Sequence, residues 1–293
     1  MDDSSPVSFC TQWRGDSLSK KGRMLHVPLY AGDIHNIERV FHKETKAGQL
    51  VEIYKSCCGN TSILIDGNYQ LGVAYDGIEP SYGDDAHRTY LNILQFNGVP
   101  LKEEKILIIG GGDLGLACLL LDNGAEDIMQ FELDSELVEI LAEYIPSVTK
   151  KGLEDSRIKI KYGDGFAGLE SCEDDAFDII IGDLTRSAAI RFGDPAVHEE
   201  LLRVCKNSGI VMSHWAEGDI DLNSIFSNFH GEGSPKFFCS VESSPDTRIV
   251  WSPTPMEGVE YSRPSSSSSS WVPDPILDGS IGGNGSWCMG NKN

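Results

Sequence analysis

The chain has 293 residues, 40% of them hydrophobic and 24% charged, with 45 acidic against 24 basic side chains and a formal net charge of -21. That length suffices for one large domain, or one domain with a small partner, and for a core that needs no covalent staples. The acidic excess disfavours a nucleic-acid or anionic-membrane surface and favours cationic ligands or plain solubility.

Residues 1–36 are expected to form a partly disordered amino-terminal segment, and residues 37–98 a small β-strand domain. Gln49–Ile53, Ser62–Ile65 and Tyr69–Ala74 read as strands, and Asp66-Gly67-Asn68 supplies hairpin turn chemistry, which predicts an antiparallel sheet. Gly77 to Asp85 reads as a polar, glycine-containing loop and Ala86–Phe96 as a helix.

Residues 99–258 alternate strand and helix. Ile106–Ile109, Ile128–Glu132, Ile158–Tyr162, Phe177–Gly182 and Ile210–Ser213 are short apolar runs bounded by Gly, Asp or Asn, as buried parallel strands are. Leu114–Leu121, Ser135–Tyr144 and His198–Cys205 carry helical patterns, and Asp134-Ser135 ahead of Leu137, Ile140 and Leu141 gives a cap and an apolar face. The alternation predicts an α/β fold with a doubly wound parallel sheet, whose ligands gather at the carboxyl ends of the strands. Lys236–Trp251 is expected to add two last strands, interrupted at Ser243-Ser244-Pro245-Asp246. Residues 259–293, with a six-serine run and a Gly/Asn-rich end, cannot bury enough apolar surface to order and are expected to be a disordered tail.

Cysteines at 10, 57, 58, 118, 172, 205, 239 and 288 show no spacing of a zinc site, so no metal is expected and the thiols are read as free in a reducing cytoplasm. The initial Met-Asp-Asp-Ser-Ser-Pro has no basic flank or apolar stretch, and no run approaches the roughly 18 apolar residues of a membrane span.

Ile106 to Asp113 reads Ile-Leu-Ile-Ile-Gly-Gly-Gly-Asp, an apolar strand entering a turn of Gly110, Gly111 and Gly112 that ends on a carboxylate. Such a turn lets backbone approach a ligand and presents N–H groups that usually suit an anion. Asp113 would repel an anion, so the pattern predicts an adenosine-like ligand with positive charge at that point. Three further acids close successive strands. Glu132, 19 residues after Asp113, stands where a carboxylate accepts from both ribose hydroxyls, although a helix N-terminal acid would look similar. Asp164 in Tyr-Gly-Asp-Gly-Phe offers its side chain, and Gly165 its N–H, to an adenine amino group and ring nitrogen; a plain Asp-Gly turn shares that pattern. Asp183, after three consecutive isoleucines and a glycine, points to an active site rather than surface decoration.

In order and spacing, Ile-Leu-Ile-Ile-Gly-Gly-Gly-Asp-Leu-Gly, Phe-Glu-Leu-Asp, Gly-Asp-Gly-Phe and Gly-Asp-Leu-Thr resemble the spermidine/spermine synthase family of aminopropyltransferases over residues 49–215. Asp183-Leu184-Thr185 is closer to the spermine synthase branch; spermidine synthases carry an Asp-Ser-Ser-Asp-like run, where this chain continues Arg186-Ser187. Gln49 matches the family's ribose-contacting glutamine, with Gly48 in place of a tyrosine, and Asp66-Gly67-Asn68-Tyr69-Gln70-Leu71 resembles the family's Asp-Gly-x-x-Gln-Leu turn. After that turn the family has an Asp followed by a helix bearing a Tyr or His near the substrate. Asp76 and Asp85 compete for this Asp, with Asp85 preferred because it directly precedes the helix holding His87 and Tyr90. The alternatives for these two are a solvated helix residue and a core aromatic with its hydroxyl at the rim.

The resemblance implies a Rossmann-like doubly wound sheet of the class I methyltransferase type, preceded by a small antiparallel β-sheet domain. It also implies decarboxylated S-adenosylmethionine as a co-substrate rather than a resident cofactor, a polyamine acceptor with spermidine preferred over putrescine, and a homodimer. Asp113 then pairs with the donor's primary ammonium, Asp183 accepts the acceptor's proton and Asp85 holds the polyamine. The rival readings are an S-adenosylmethionine-dependent methyltransferase on the same fold and a catalytically silent relative that binds a nucleoside or a partner protein.

Overall fold

The computed structural model describes residues 37–56, 61–75, 80–82, 85–189, 191, 194–216, 236–244, 247–251, 260–262 and 272–274. Its strands are β1 Ile37–Glu44, β2 Leu50–Ser56, β3 Thr61–Ile65, β4 Asn68–Tyr75, β5 Pro80–Tyr82, β6 Lys105–Gly110 and β7 Asp127–Glu132, followed by β8 Ile158–Tyr162, β9 Phe177–Asp183, β10 Cys205–Ala216, β11 Lys236–Ser244, β12 Thr247–Trp251, β13 Glu260–Ser262 and β14 Val272–Asp274. The α-helices among the described residues are α1 Asp85–Phe96, α2 Gly115–Asp122, α3 Ser135–Tyr144, α4 Thr149–Glu154, α5 Gly165–Leu169, α6 Arg186–Ala189 and α7 Pro195–Val204. The chain divides into two compact units. One comprises Met1–Asp84, Gly112–Gly115 and Asp134–Glu154; the other comprises Asp85–Gly111, Leu116–Leu133 and Asp155–Asn293.

In the first unit β1 to β5 pair in chain order as an antiparallel sheet. The two residues between β3 and β4, Asp66 and Gly67, both have positive φ, 53° and 77°, the requirement of a type I′ hairpin turn. Asp66 also accepts the Leu50 amide at 2.9 Å, which ties the turn to β2. Val51, Ile53, Ile63, Leu71 and Val73 cover one core with Leu137, Ile140 and Leu141 of α3. Pro80–Tyr82 is a strand where a loop is expected; proline begins it at the sheet edge, where a missing N–H leaves no ladder bond unmade.

The second unit holds a seven-stranded sheet ordered β12-β11-β10-β9-β6-β7-β8. All its pairings are parallel except that of β11 with the edge strand β12. Continuous apolar runs are needed because both faces are covered. Ile106, Ile108, Ile179, Ile181, Ile210 and Met212 face α1 and α2, while Leu107, Ile109, Ile180 and Val211 face α5, α6 and α7. The helix expected over His198–Cys205 begins earlier, at Pro195, because Asp194 caps it and proline suits the first turn; Cys205 already belongs to β10. Within the carboxyl-terminal segment β13 pairs antiparallel with β14. The rest of residues 259–293, like residues 1–36, lies outside the described residues.

Candidate active site

The chain runs from β6 to β7 and β8 on one side of the sheet, and from β9 to β10 and β11 on the other, so β6 and β9 meet at the topological switch point. There Gly110 is the register partner of Asp183. Gly110 and Gly111 have φ of 88° and 70°, a region that L side chains rarely adopt. A Cβ on Gly110 would stand 2.1 Å from the Asp183 carbonyl oxygen, and one on Gly111 2.8 Å from Asp183 Oδ2. The Gly111 amide donates to the Asp183 carbonyl at 2.7 Å. The sequence reading gave these glycines to a ligand; in the fold two of them are required first by Asp183, and Gly112 is buried.

Gln130, fully buried in β7, fastens the same turn by donating from Nε2 to the carbonyls of Gly110 at 2.8 Å and Gly111 at 2.6 Å. Sequence reasoning missed it. The available signal was an amide side chain inside the apolar run Ile128–Phe131, since a buried polar group must find a partner.

His87 and Tyr90 come from α1. His87 is buried, and its Nε2 lies 3.1 Å from Asp183 Oδ2. With Asp183 ionised, the carboxylate can only accept, and the contact is then a hydrogen bond donated by Nε2–H. The reading of His87 as a solvated residue is thereby set aside. Tyr90 is entirely buried and its hydroxyl donates to the Gly182 carbonyl at 2.9 Å, which makes it a support for the end of β9. Asp85 is the first residue of α1; its side chain, and all of Asp76, lie outside the described residues.

Glu132 closes β7 with its residue almost wholly buried, and its carbonyl accepts the Gly163 amide at 2.8 Å. Asp164 caps α5, accepting at Oδ1 from the amides of Phe166 and Ala167. Its Oδ2 receives Arg191 Nη1 at 2.7 Å, a partner the sequence did not reveal. Burial pushes the Asp164 carboxyl up, but the Arg191 guanidinium and the two amides outweigh it and hold the group below the usual range. Gly165 is glycine for packing: a Cβ would stand 2.7 Å from Ile109 Cγ2 and 3.1 Å from the Phe131 Cβ.

Gln49 and Asp113 belong to the first unit. Asp113 Oδ1 accepts the Gly115 amide at 2.5 Å, at the start of α2, and its carbonyl accepts Thr149 Oγ1 at 2.7 Å. The loop before Gln49 is held by Thr45, whose amide donates to the Gln49 carbonyl at 2.9 Å and whose hydroxyl donates to Asp134, the cap of α3. Gln49 Oε1 is buried and has no hydrogen-bond partner among the described residues, an acceptor suited to a hydroxyl.

Cys118, Cys172 and Cys205 are free thiols, and burial drives Cys205 up to about 12, far from reactive thiolate character. Among the described residues no group of three or more His, Cys, Asp and Glu side chains is arranged to hold a metal ion. Likewise, no helix among them is long and apolar enough to cross a membrane.

A family model described as the spermine/spermidine synthase domain matches residues 92–244. The chain is 30% identical over 204 residues to a polyamine aminopropyltransferase of Korarchaeum cryptofilum, covering 68% of this chain and 60% of that protein. It is 26% identical over 189 residues to spermidine synthase 1 of Hyoscyamus niger, covering 63% and 57%. The chain thus spans about 60% of the length of these curated relatives. Among solved structures, the spermidine synthase from Thermotoga maritima superposes with a TM-score of 0.51 at 21% identity, covering 67% of this chain and 63% of that one, which establishes a common fold.

Proposed function

The chain belongs to the spermine/spermidine synthase family, and from that premise we propose that it transfers the aminopropyl group of decarboxylated S-adenosylmethionine to a polyamine, releasing methylthioadenosine. The observation that carries this reading is Asp183, a nearly buried carboxylate at the switch point, backed by His87 and by a glycine turn that admits no side chain beside it. A methyl donor's intact carboxylate would oppose Asp113, which disfavours the methyltransferase reading.

An alkylammonium has no lone pair at neutral pH, so the acceptor must lose a proton before it attacks. Asp183 accepts that proton, while the His87 Nε2–H holds the carboxylate in one orientation. The amine nitrogen then forms a bond to the methylene beside the sulfonium. The carbon–sulfur bond breaks with its electron pair going to sulfur, and neutral methylthioadenosine leaves without needing an acid. Holding both reactants in line supplies much of the remaining acceleration, several kcal/mol by the measure of intramolecular reactions.

Glu132 takes the ribose hydroxyls and Asp164 with Gly165 the adenine edge. Roles that rest on the resemblance alone are Gln49 at the ribose, Asp113 at the donor ammonium and Asp85 at the polyamine; Tyr90 supports Asp183 from behind. Decarboxylated S-adenosylmethionine enters as a co-substrate. A homodimer follows from the resemblance, and a cytoplasmic location fits the free thiols.

The acceptor we favour is spermidine, giving spermine, because Asp183-Leu184-Thr185 runs on to Arg186 without a second aspartate. Spermidine formation from putrescine is the second reading, favoured by relatives that are named spermidine synthases. Incubating the protein with decarboxylated S-adenosylmethionine and either amine, while following methylthioadenosine, decides between them. Product with spermidine is expected. Product with putrescine alone would reverse the acceptor preference, and methylthioadenosine binding without turnover would mark a silent relative.

A further inference from the structure

Asp164 is engaged by a distant residue at the atom a ligand would need. Its Oδ1 is committed to the amides of Phe166 at 3.0 Å and Ala167 at 3.4 Å, which leaves Oδ2 as the oxygen able to receive a ligand donor. Arg191 Nη1 holds that Oδ2 at 2.7 Å, and its guanidinium carbon lies 4.6 Å from the centroid of the Phe166 ring. A guanidinium edge and the exocyclic amino group of adenine are the same kind of partner for a carboxylate, a planar nitrogen with its hydrogens directed at an oxygen.

We propose that Arg191 is a built-in competitor for the base: it occupies Asp164 Oδ2 in the ligand-free protein and is displaced when an adenine nucleoside binds. This inference rests on the reading that Asp164 receives the adenine edge. The two side chains are 49% and 42% exposed, so the ion pair is of the weak surface kind and yields to a ligand that brings its own donor. Arg191 follows Asp183 by eight residues, on the segment leading out of the strand that Asp183 ends.

Methylthioadenosine is uncharged, and that makes the proposal testable. A neutral ligand that must break an ion pair binds more tightly as salt screens the pair, whereas one that breaks none is nearly indifferent to salt. Calorimetric titration of methylthioadenosine into the full chain and into Arg191→Ala, at low and high ionic strength, measures both effects. Half exposure of Arg191 means that the variant keeps its fold, which a thermal melt checks. Arg191→Ala is expected to bind about 2- to 5-fold more tightly at low salt. Wild-type affinity is expected to rise with salt, while that of the variant stays flat. Equal or weaker binding by Arg191→Ala would overturn the inference and leave the aminopropyl reading standing. Absence of binding by both proteins would overturn both.

Discussion

His87 Nε2 lies 3.1 Å from Asp183 Oδ2, with side-chain exposures of only 4% and 10%. A carboxylate in so little water, with an imidazole N–H on one oxygen, has a fixed direction in which to present its basic lone pairs. In the proposed reaction His87 acts through Asp183, as a positioning residue.

Asp183→Asn is expected to reduce kcat by about 10²- to 10⁴-fold, the range for removing a general base, while leaving methylthioadenosine affinity nearly intact. Loss of both together would assign Asp183 a structural role. His87→Phe is expected to lower kcat about 10- to 100-fold with little change in KM for the donor. His87→Gln, whose amide can donate at similar reach, should recover part of it. Steady-state kinetics separates the cases: a fall in kcat matched by a rise in KM would mean that His87 merely holds the fold.

Gly111→Ala adds a Cβ 2.8 Å from Asp183 Oδ2 at a φ of 70°. The left-handed backbone alone costs about 1–2 kcal/mol for an L residue, and the carboxylate must swing away from His87 to make room. A lowered Tm with at least tenfold lower turnover is expected. Gly110→Ala should melt lower still, because its Cβ meets a backbone oxygen at 2.1 Å that cannot move aside. A fully active Gly111→Ala enzyme would contradict the placement of Asp183.

Asp113→Asn keeps an oxygen for the Gly115 amide, which Asp113 binds at 2.5 Å, and removes only the charge. Affinity for decarboxylated S-adenosylmethionine should fall about tenfold or more, as a lost hydrogen bond to a charged group does, with methylthioadenosine affinity little changed. Equal losses for the two nucleosides would refute the ammonium pairing.

Burial, then the hydrogen bond and charge of Asp178, push the Glu104 carboxyl above its ordinary 4.5. Asp178 is also pushed up by burial, but Lys206, the Lys105 amide and Glu104 outweigh this and hold it low. A raised folded pKa means that Glu104 contributes stability below its unfolded pKa and loses it as pH rises through the folded value. Asp178 behaves oppositely, contributing above its unfolded pKa and losing that contribution as pH falls through the folded one. Glu104→Gln keeps a donor toward Asp178 without ionising. Thermal melts across pH should show the variant more stable than wild type at neutral pH, with the difference vanishing below the ordinary 4.5. A difference that does not change with pH would exclude a titration at this pair.

Elements whose signals are local were legible. Ser135–Tyr144 is helical over the span read from its cap and apolar face, and Ile158–Tyr162 is a strand over the span read from its composition. β1 escaped notice because a register shift between Arg39 and Phe41 breaks the alternation that announces a strand. The amphipathic face of α3 was readable, but not that it packs against β2, β3 and β4, since an apolar stripe specifies no partner.

By itself, then, the sequence determined the alternation of strand and helix and the acids at the carboxyl ends of strands, because period and turn chemistry act over a few neighbouring residues. It also showed the glycine turn at Gly110 and Gly111, read there as room for a ligand, whereas the need for glycine beside Asp183 came from the fold. Only the tertiary structure decided the partners: His87 for Asp183 across 96 positions, Gln130 for the glycine turn across 19 and 20, Arg191 for Asp164 across 27. Those pairs form because buried or half-buried polar atoms must be satisfied by whatever the packed sheet and helices bring within reach, and no local pattern in the chain records what that will be.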